Sequence, residues 1–147
     1  MSTPAPLPVT WSPRRNRYVL LPLCAVLVVV FTVVAFAMPA NWQANDRVAM
    51  VCCGLLFAAV GLMLARPRVS ADDQGVTVVN FVRTRRLAWA EILRVNLRAG
   101  DPWVVLDLAD GTSLAAVGIQ PAAGREQAIS AARSLRDLVD DRGTARR

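Results

Sequence analysis

The chain has 147 residues, of which 54% are hydrophobic and 19% charged, with a mean hydropathy of +0.38. That is too apolar for an ordinary soluble domain and far too apolar for disorder; the length leaves room for one small domain plus membrane segments. Histidine is absent, which removes the commonest general base and metal ligand.

Charge is unevenly divided. Residues 1–68 hold six Arg and one Asp, net +5, whereas residues 69–147 hold eleven Arg against eight Asp and two Glu, net +1. A nucleic-acid binder concentrates its positive charge on the folded domain, so nucleic acid is not expected as a partner.

Residues 1–17 read as a disordered basic N-terminus. Tyr18 to Met38 is then 21 residues without a charge, roughly 31 Å as a helix and about the hydrocarbon thickness of a bilayer. Val48 to Ala65 is a second uncharged run of 18 residues. The short polar stretch between them predicts an antiparallel transmembrane hairpin over 18–65. Arg14, Arg15 and Arg17 precede it, Arg66 and Arg68 follow it, and in the connecting loop Arg47 is balanced by Asp46. The positive-inside rule therefore places both termini in the cytoplasm and the protein in the cell membrane as a multi-pass chain. A cleaved signal peptide ending at Ala35-Phe36-Ala37 is the alternative; the first run is longer than a usual signal core, and a second run follows at once.

Gly54, Ala58, Gly61 and Ala65 recur at helical spacing and allow close helix approach. Packing inside the hairpin is the first reading, and homo-oligomerisation through this face is the second. Cys24, Cys52 and Cys53 all lie inside the apolar runs without metal-ligand spacing, so they read as buried apolar filler. No metal or cofactor is implied.

The remainder reads as short strands with turn signals. The candidates are Val69 to Ala71, Val76 to Val82, Arg85 to Trp89, Ile92 to Arg98, Trp103 to Leu108 and Thr112 to Val117. Asp110-Gly111 signals a two-residue hairpin. Strict alternation pairs Leu97 with Val104, Val95 with Leu106 and Leu93 with Leu108 on a buried face, and sets Arg94 opposite Asp107 outside. An exposed Arg94–Asp107 pair contributes under about 1 kcal/mol. From Pro121 to about Asp141 the period becomes helical, with Ile129, Ala132, Leu135, Leu138 and Val139 on one stripe and Gly143 ending the pattern. Residues 142–147 read as a disordered tail. The fold class is α+β: a membrane hairpin, a small antiparallel sheet over 69–141 and a terminal helix.

Three stretches carry a family resemblance: Asp73-Gln74-Gly75-Val76-Thr77-Val78, Arg86-Leu87-Ala88-Trp89-Ala90-Glu91-Ile92 and Leu106-Asp107-Leu108-Ala109-Asp110-Gly111-Thr112. With the preceding hairpin they resemble bacterial PH-like membrane proteins, and more closely the actinobacterial low-molecular-weight antigen 6 family. The resemblance implies a strongly bent sheet capped at one open end by a helix. It implies seven strands where six are counted, and no reaction or catalytic residue. Eukaryotic PH domains hold inositol phosphates in the first strand–strand loop; read here as Asp72-Asp73-Gln74-Gly75, that turn would repel phosphate.

Arg83, Arg85 and Arg86 form the basic cluster of the domain and are the candidate anionic-lipid site; a solvated turn is the bland reading. Trp89 reads as core, with ligand stacking as the alternative, and Glu91 as a cap of the tight Ala90-Glu91 step or a partner for an Arg. Serines lack a histidine partner, acids are scattered and no phosphate loop appears, so an enzyme is not expected. Two functions remain. One is a non-enzymatic membrane protein presenting a cytoplasmic PH-like interaction domain to a protein partner. The other is an anionic-lipid-sensing or lipid-handling protein of the envelope.

Overall fold

The computed structural model describes residues 5–144, in two compact units. The first is a pair of apolar helices, α1 (Arg14–Ala37) and α2 (Ala44–Leu64), each long and apolar enough to cross a membrane. They start four residues earlier than the uncharged runs, because charged and amide side chains at an exposed helix end do not interrupt backbone hydrogen bonding. The turn between them is closed by its own polar groups. Asp46 accepts the N–H of Gln43 at 3.1 Å, half of a capping box, and Arg47 donates to the Met38 carbonyl at 3.3 Å. The latter satisfies an orphan carbonyl near the end of α1, so Arg47 serves the helix end.

The small-residue face of α2 is filled by α1. A Cβ at Gly54 would lie 2.8 Å from the Phe31 Cβ, and one at Gly61 would collide with the Cys24 sulfur. Phe31 also packs on Phe57, ring centroids 5.8 Å apart. The intrachain reading of Gly54 and Gly61 therefore describes this face. Cys24 is buried there, whereas Cys52 and Cys53 lie on the outward surface of α2, so the expectation of three buried cysteines is corrected to one.

The second unit holds seven strands in two antiparallel sheets. Sheet one has the order β1 (Val9–Trp11), β2 (Arg68–Asp72), β3 (Gly75–Val79), β4 (Thr84–Ala88). Sheet two is β5 (Ile92–Asn96), β6 (Val104–Leu108), β7 (Ser113–Ala116). A terminal helix, α3 (Arg125–Thr144), completes it. The strand missing from the sequence reading is β1. It comes from the stretch expected to be disordered and pairs Val9 with Ala71, Thr10 with Ser70 and Trp11 with Val69. Three residues gain order by adding to a preformed edge, which local propensity does not reveal. The apolar helices are thus inserted in the β1–β2 connection, joined by two residues on one side and three on the other.

Val69, Ala71, Val76, Val78 and Leu87 from sheet one meet Ile92, Val95, Val104, Leu106 and Leu108 from sheet two in one core. Helix α3 adds Ala128, Ala131, Ala132, Leu135, Leu138 and Val139; Ile129 is only half-buried. Its Arg136 donates twice to the Val95 carbonyl, at 2.8 and 3.3 Å, closing part of the free edge of β5. Gly143 does not end the pattern as expected: it lies inside α3, and a Cβ there would stand 3.8 Å from the Trp89 carbonyl. Of the expected tail, residues 145–147 lie outside the described residues.

The predicted register survives at Val95↔Leu106 and Arg94↔Asp107. It fails one step earlier: Ile92, not Leu93, faces Leu108, across a bulge. The bulge sends Ile92 inward and leaves Leu93 49% exposed. The predicted Leu97–Val104 step is absent, since β5 ends at Asn96. The Asp110-Gly111 hairpin is also one residue longer than expected. Leu108 donates to the Thr112 carbonyl at 2.8 Å, leaving Ala109, Asp110 and Gly111 as a three-residue loop with Gly111 at φ 81°. That is the bulged hairpin in which glycine takes the left-handed position.

Candidate functional site

Strand alternation and turn geometry separate the three candidate arginines. Arg86 pairs with Thr77 and lies on the outer face of sheet one, where Arg68, Ser70 and Thr77 also stand. Its guanidinium donates to Asp72 at 3.0 Å and Gln74 at 3.1 Å. Arg85, opposite Val78, reaches the other way to Asp110 at 3.4 Å. Both pairs are solvent-exposed, so water screens them and they add little to stability. Arg83 stands apart, in the β3–β4 loop, and its guanidinium pairs with no described residue. The cluster in sequence is thus three separate positions in space.

That loop was missed by sequence reasoning, which extended β3 to Val82. Strand β3 ends at Val79, and Asn80 donates its N–H to the Arg83 carbonyl at 2.8 Å. The Asn80 side chain then joins the two sheets. Its amide donates to the Ala115 carbonyl at 2.7 Å and accepts the Val117 N–H at 3.2 Å, standing in for a strand at the edge of β7. Phe81 is half-buried and Val82 is 71% exposed. The available signal was Asn80 itself, an amide that ends an otherwise apolar run.

Register places this loop. Trp11 pairs with Val69, Arg68 with Val79, and Val79 with Thr84, so the 80–83 loop lies at the end of sheet one where the chain departs into α1 and returns from α2. The Asp72–Gly75 turn lies at the opposite end. It connects β2 with β3, whereas the chain's β1–β2 connection holds the apolar helices. Asp72 accepts the N–H groups of Gln74 and Gly75 at 2.9 and 3.0 Å, and Asp73 pairs with Arg142 of α3 at 3.2 Å.

Trp89 is 2% exposed and donates its indole N–H to the Asp72 carbonyl at 3.1 Å. Its ring belongs to the core. Glu91 accepts the Ala88 N–H and caps the 3₁₀ turn at Trp89–Glu91. Asp107 lies opposite Arg94 as expected, yet its carboxylate accepts from Asn96 at 2.6 Å and from Ser113 at 3.0 Å. The expected ion pair is therefore replaced by two neutral donors that need less side-chain ordering to reach it. Asp110 is held below the ordinary aspartate value, first by the Thr112 hydroxyl, then by the Thr112 N–H, with Arg85 adding to both.

Among the described residues of this unit, the large apolar side chains left exposed are Val82 and Leu93. They belong to different ends. Val82 lies at the end that receives the helices, while Leu93 follows the 3₁₀ turn that Trp89 ties to Asp72.

Comparison with known proteins agrees with this architecture. The sequence profile described as a bacterial PH domain matches residues 66–138. An uncharacterized protein of Mycobacterium bovis and two of Mycobacterium tuberculosis strains are each 34% identical over 98 residues, 67% of this chain and 63% of theirs. The chain thus spans less than two thirds of the length of these relatives. No solved structure matches it. The two antiparallel sheets, the terminal helix and the profile match identify residues 66–138 as a domain of the bacterial PH family, in a chain with mycobacterial relatives.

Proposed function

We propose that the protein is a non-enzymatic membrane-anchored interaction module, its PH-like domain held on the cytoplasmic face by the α1–α2 hairpin. The observation that carries this reading is the pairing of β1 with β2. The strands flank the hairpin in sequence and hydrogen-bond to each other, so both flanks must lie on one side of any membrane the helices cross. A signal peptide cleaved after Ala37 would remove β1 from its sheet, which argues against that alternative. The flanking Arg14, Arg15, Arg17, Arg66 and Arg68 favour the cytoplasmic side.

The partner surface is assigned to Leu93. A bulge that re-aims a large apolar side chain into solvent is a device found beside functional sites, and here it does so away from the end that carries the helices. A photo-crosslinking residue at position 93 of the full chain, in native membranes, is expected to give one discrete protein adduct that the exposed control position 126 does not give. Adducts of the same pattern from both positions, or none from 93, would contradict the assignment.

A further inference from the structure

The β3–β4 loop combines three observations that converge on one ligand. It projects the exposed Val82 beside the half-buried Phe81. The guanidinium of Arg83, next in sequence, pairs with no described residue. By strand register the loop lies at the end of sheet one that the chain leaves at Trp11 and re-enters at Arg68. Between those strands and the helices stand only Ser12 and Pro13 on one side and Ala65, Arg66 and Pro67 on the other. The loop therefore belongs to the end of the sheet at which the chain itself passes into and out of the apolar helices.

We propose that Phe81, Val82 and Arg83 form a membrane-contact loop, with the two apolar side chains in the interfacial layer and Arg83 against anionic lipid headgroups. This rests on the hairpin crossing the bilayer. An apolar tip beside an unpaired Arg fits a lipid surface, where apolar groups gain by burial and a cation gains from the negative surface potential. Charge supports the orientation. Arg66, Arg68 and Arg83 stand at this end, whereas Asp72 and Asp73 belong to the turn at the other. Asn80 gives the loop a fixed base, because its amide is tied to the Ala115 carbonyl and the Val117 N–H. Arg85 and Arg86 are left out of the contact, each engaged by an acid of the domain.

The test uses the full chain with Cys24, Cys52 and Cys53 replaced by Ala, reconstituted in vesicles of mixed zwitterionic and anionic phospholipid. An environment-sensitive fluorophore is attached through Val29→Cys in α1, Val82→Cys in the loop or Gln74→Cys in the opposite turn. Lipids carrying a quencher near the headgroup should quench the label at position 82 but not at 74. Arg83→Glu should lower loop contact by about fivefold or more, the factor that one Arg at an anionic surface supplies. Removing the anionic lipid should have the same effect, whereas free inorganic phosphate should not compete. Equal quenching at 82 and 74, or quenching at 82 indifferent to both Arg83→Glu and the anionic lipid, would overturn the proposal. The label at position 29, read with acyl-chain quenchers, separates the two levels. If it stays unquenched the hairpin itself is not in the bilayer; if it alone is quenched, only the loop proposal fails.

Discussion

Gly118 and Gly111 are both required by the backbone, for different reasons. A Cβ at Gly118 would stand 2.6 Å from the Arg68 Cα and carbonyl carbon and 2.8 Å from the Val69 nitrogen, so main chain would have to move. Gly111 has open space but a φ of 81°. Gly118→Ala is therefore expected to cost about 1–3 kcal/mol, as overpacking does, and Gly111→Ala about 1–2 kcal/mol from the left-handed conformation. Urea unfolding of the detergent-solubilised chain, followed by tryptophan fluorescence, measures both. Asp110 adds a pH dependence. Its folded value is depressed by Thr112, so the carboxylate's contribution is fully present above the ordinary aspartate range and is lost as pH falls through the folded value. Wild type should lose more stability on acidification than Asp110→Asn; identical acid profiles would contradict this. Residue identity made Gly111 legible, because Asp-Gly is a turn signal. Gly118 was not, because its reason is a backbone 50 positions away in sequence.

At the level of elements, uncharged apolar runs identified α1 and α2, periodicity and turn signals identified α3 and six strands, and the pairing of Val95 with Leu106 followed from apolar alternation. The bulge at Ile92–Arg94 did not. Ideal alternation places Leu93 inside, but the 3₁₀ turn before β5 sets its entry, and Ala109 is tied to the Glu91 carbonyl at 2.8 Å. That anchor fixes Ile92 against Leu108 whatever the downstream pattern prefers. Ile92→Ala is expected to cost about 2–5 kcal/mol, while Leu93→Ser should stay within about 0.5 kcal/mol. The reverse order would restore the unbulged register. The arginine cluster shows the same limit. Its composition was legible, but Arg85 and Arg86 diverge because consecutive strand residues point to opposite faces, and Arg83 is separated from them by the end of the loop.

For the whole molecule, the decisive contact joins residues that the sequence separates by the entire hairpin. Val9–Trp11 is too short and too polar in its surroundings to read as a strand, and its partner begins at Arg68. Non-local pairing of this kind has no local signature, yet it determines that the domain is built from both flanks of the helices. Thr10 and Ser70 are direct cross-strand partners, with hydroxyls 3.1 Å apart, and such partners fall within disulfide reach. Mild oxidation of a Thr10→Cys/Ser70→Cys variant lacking the three native cysteines, in intact membranes, should link the two positions within one chain. A free thiol at both positions after oxidation, with the two labelled by impermeant reagent from opposite sides of the membrane, would contradict a domain built from both flanks of the apolar helices.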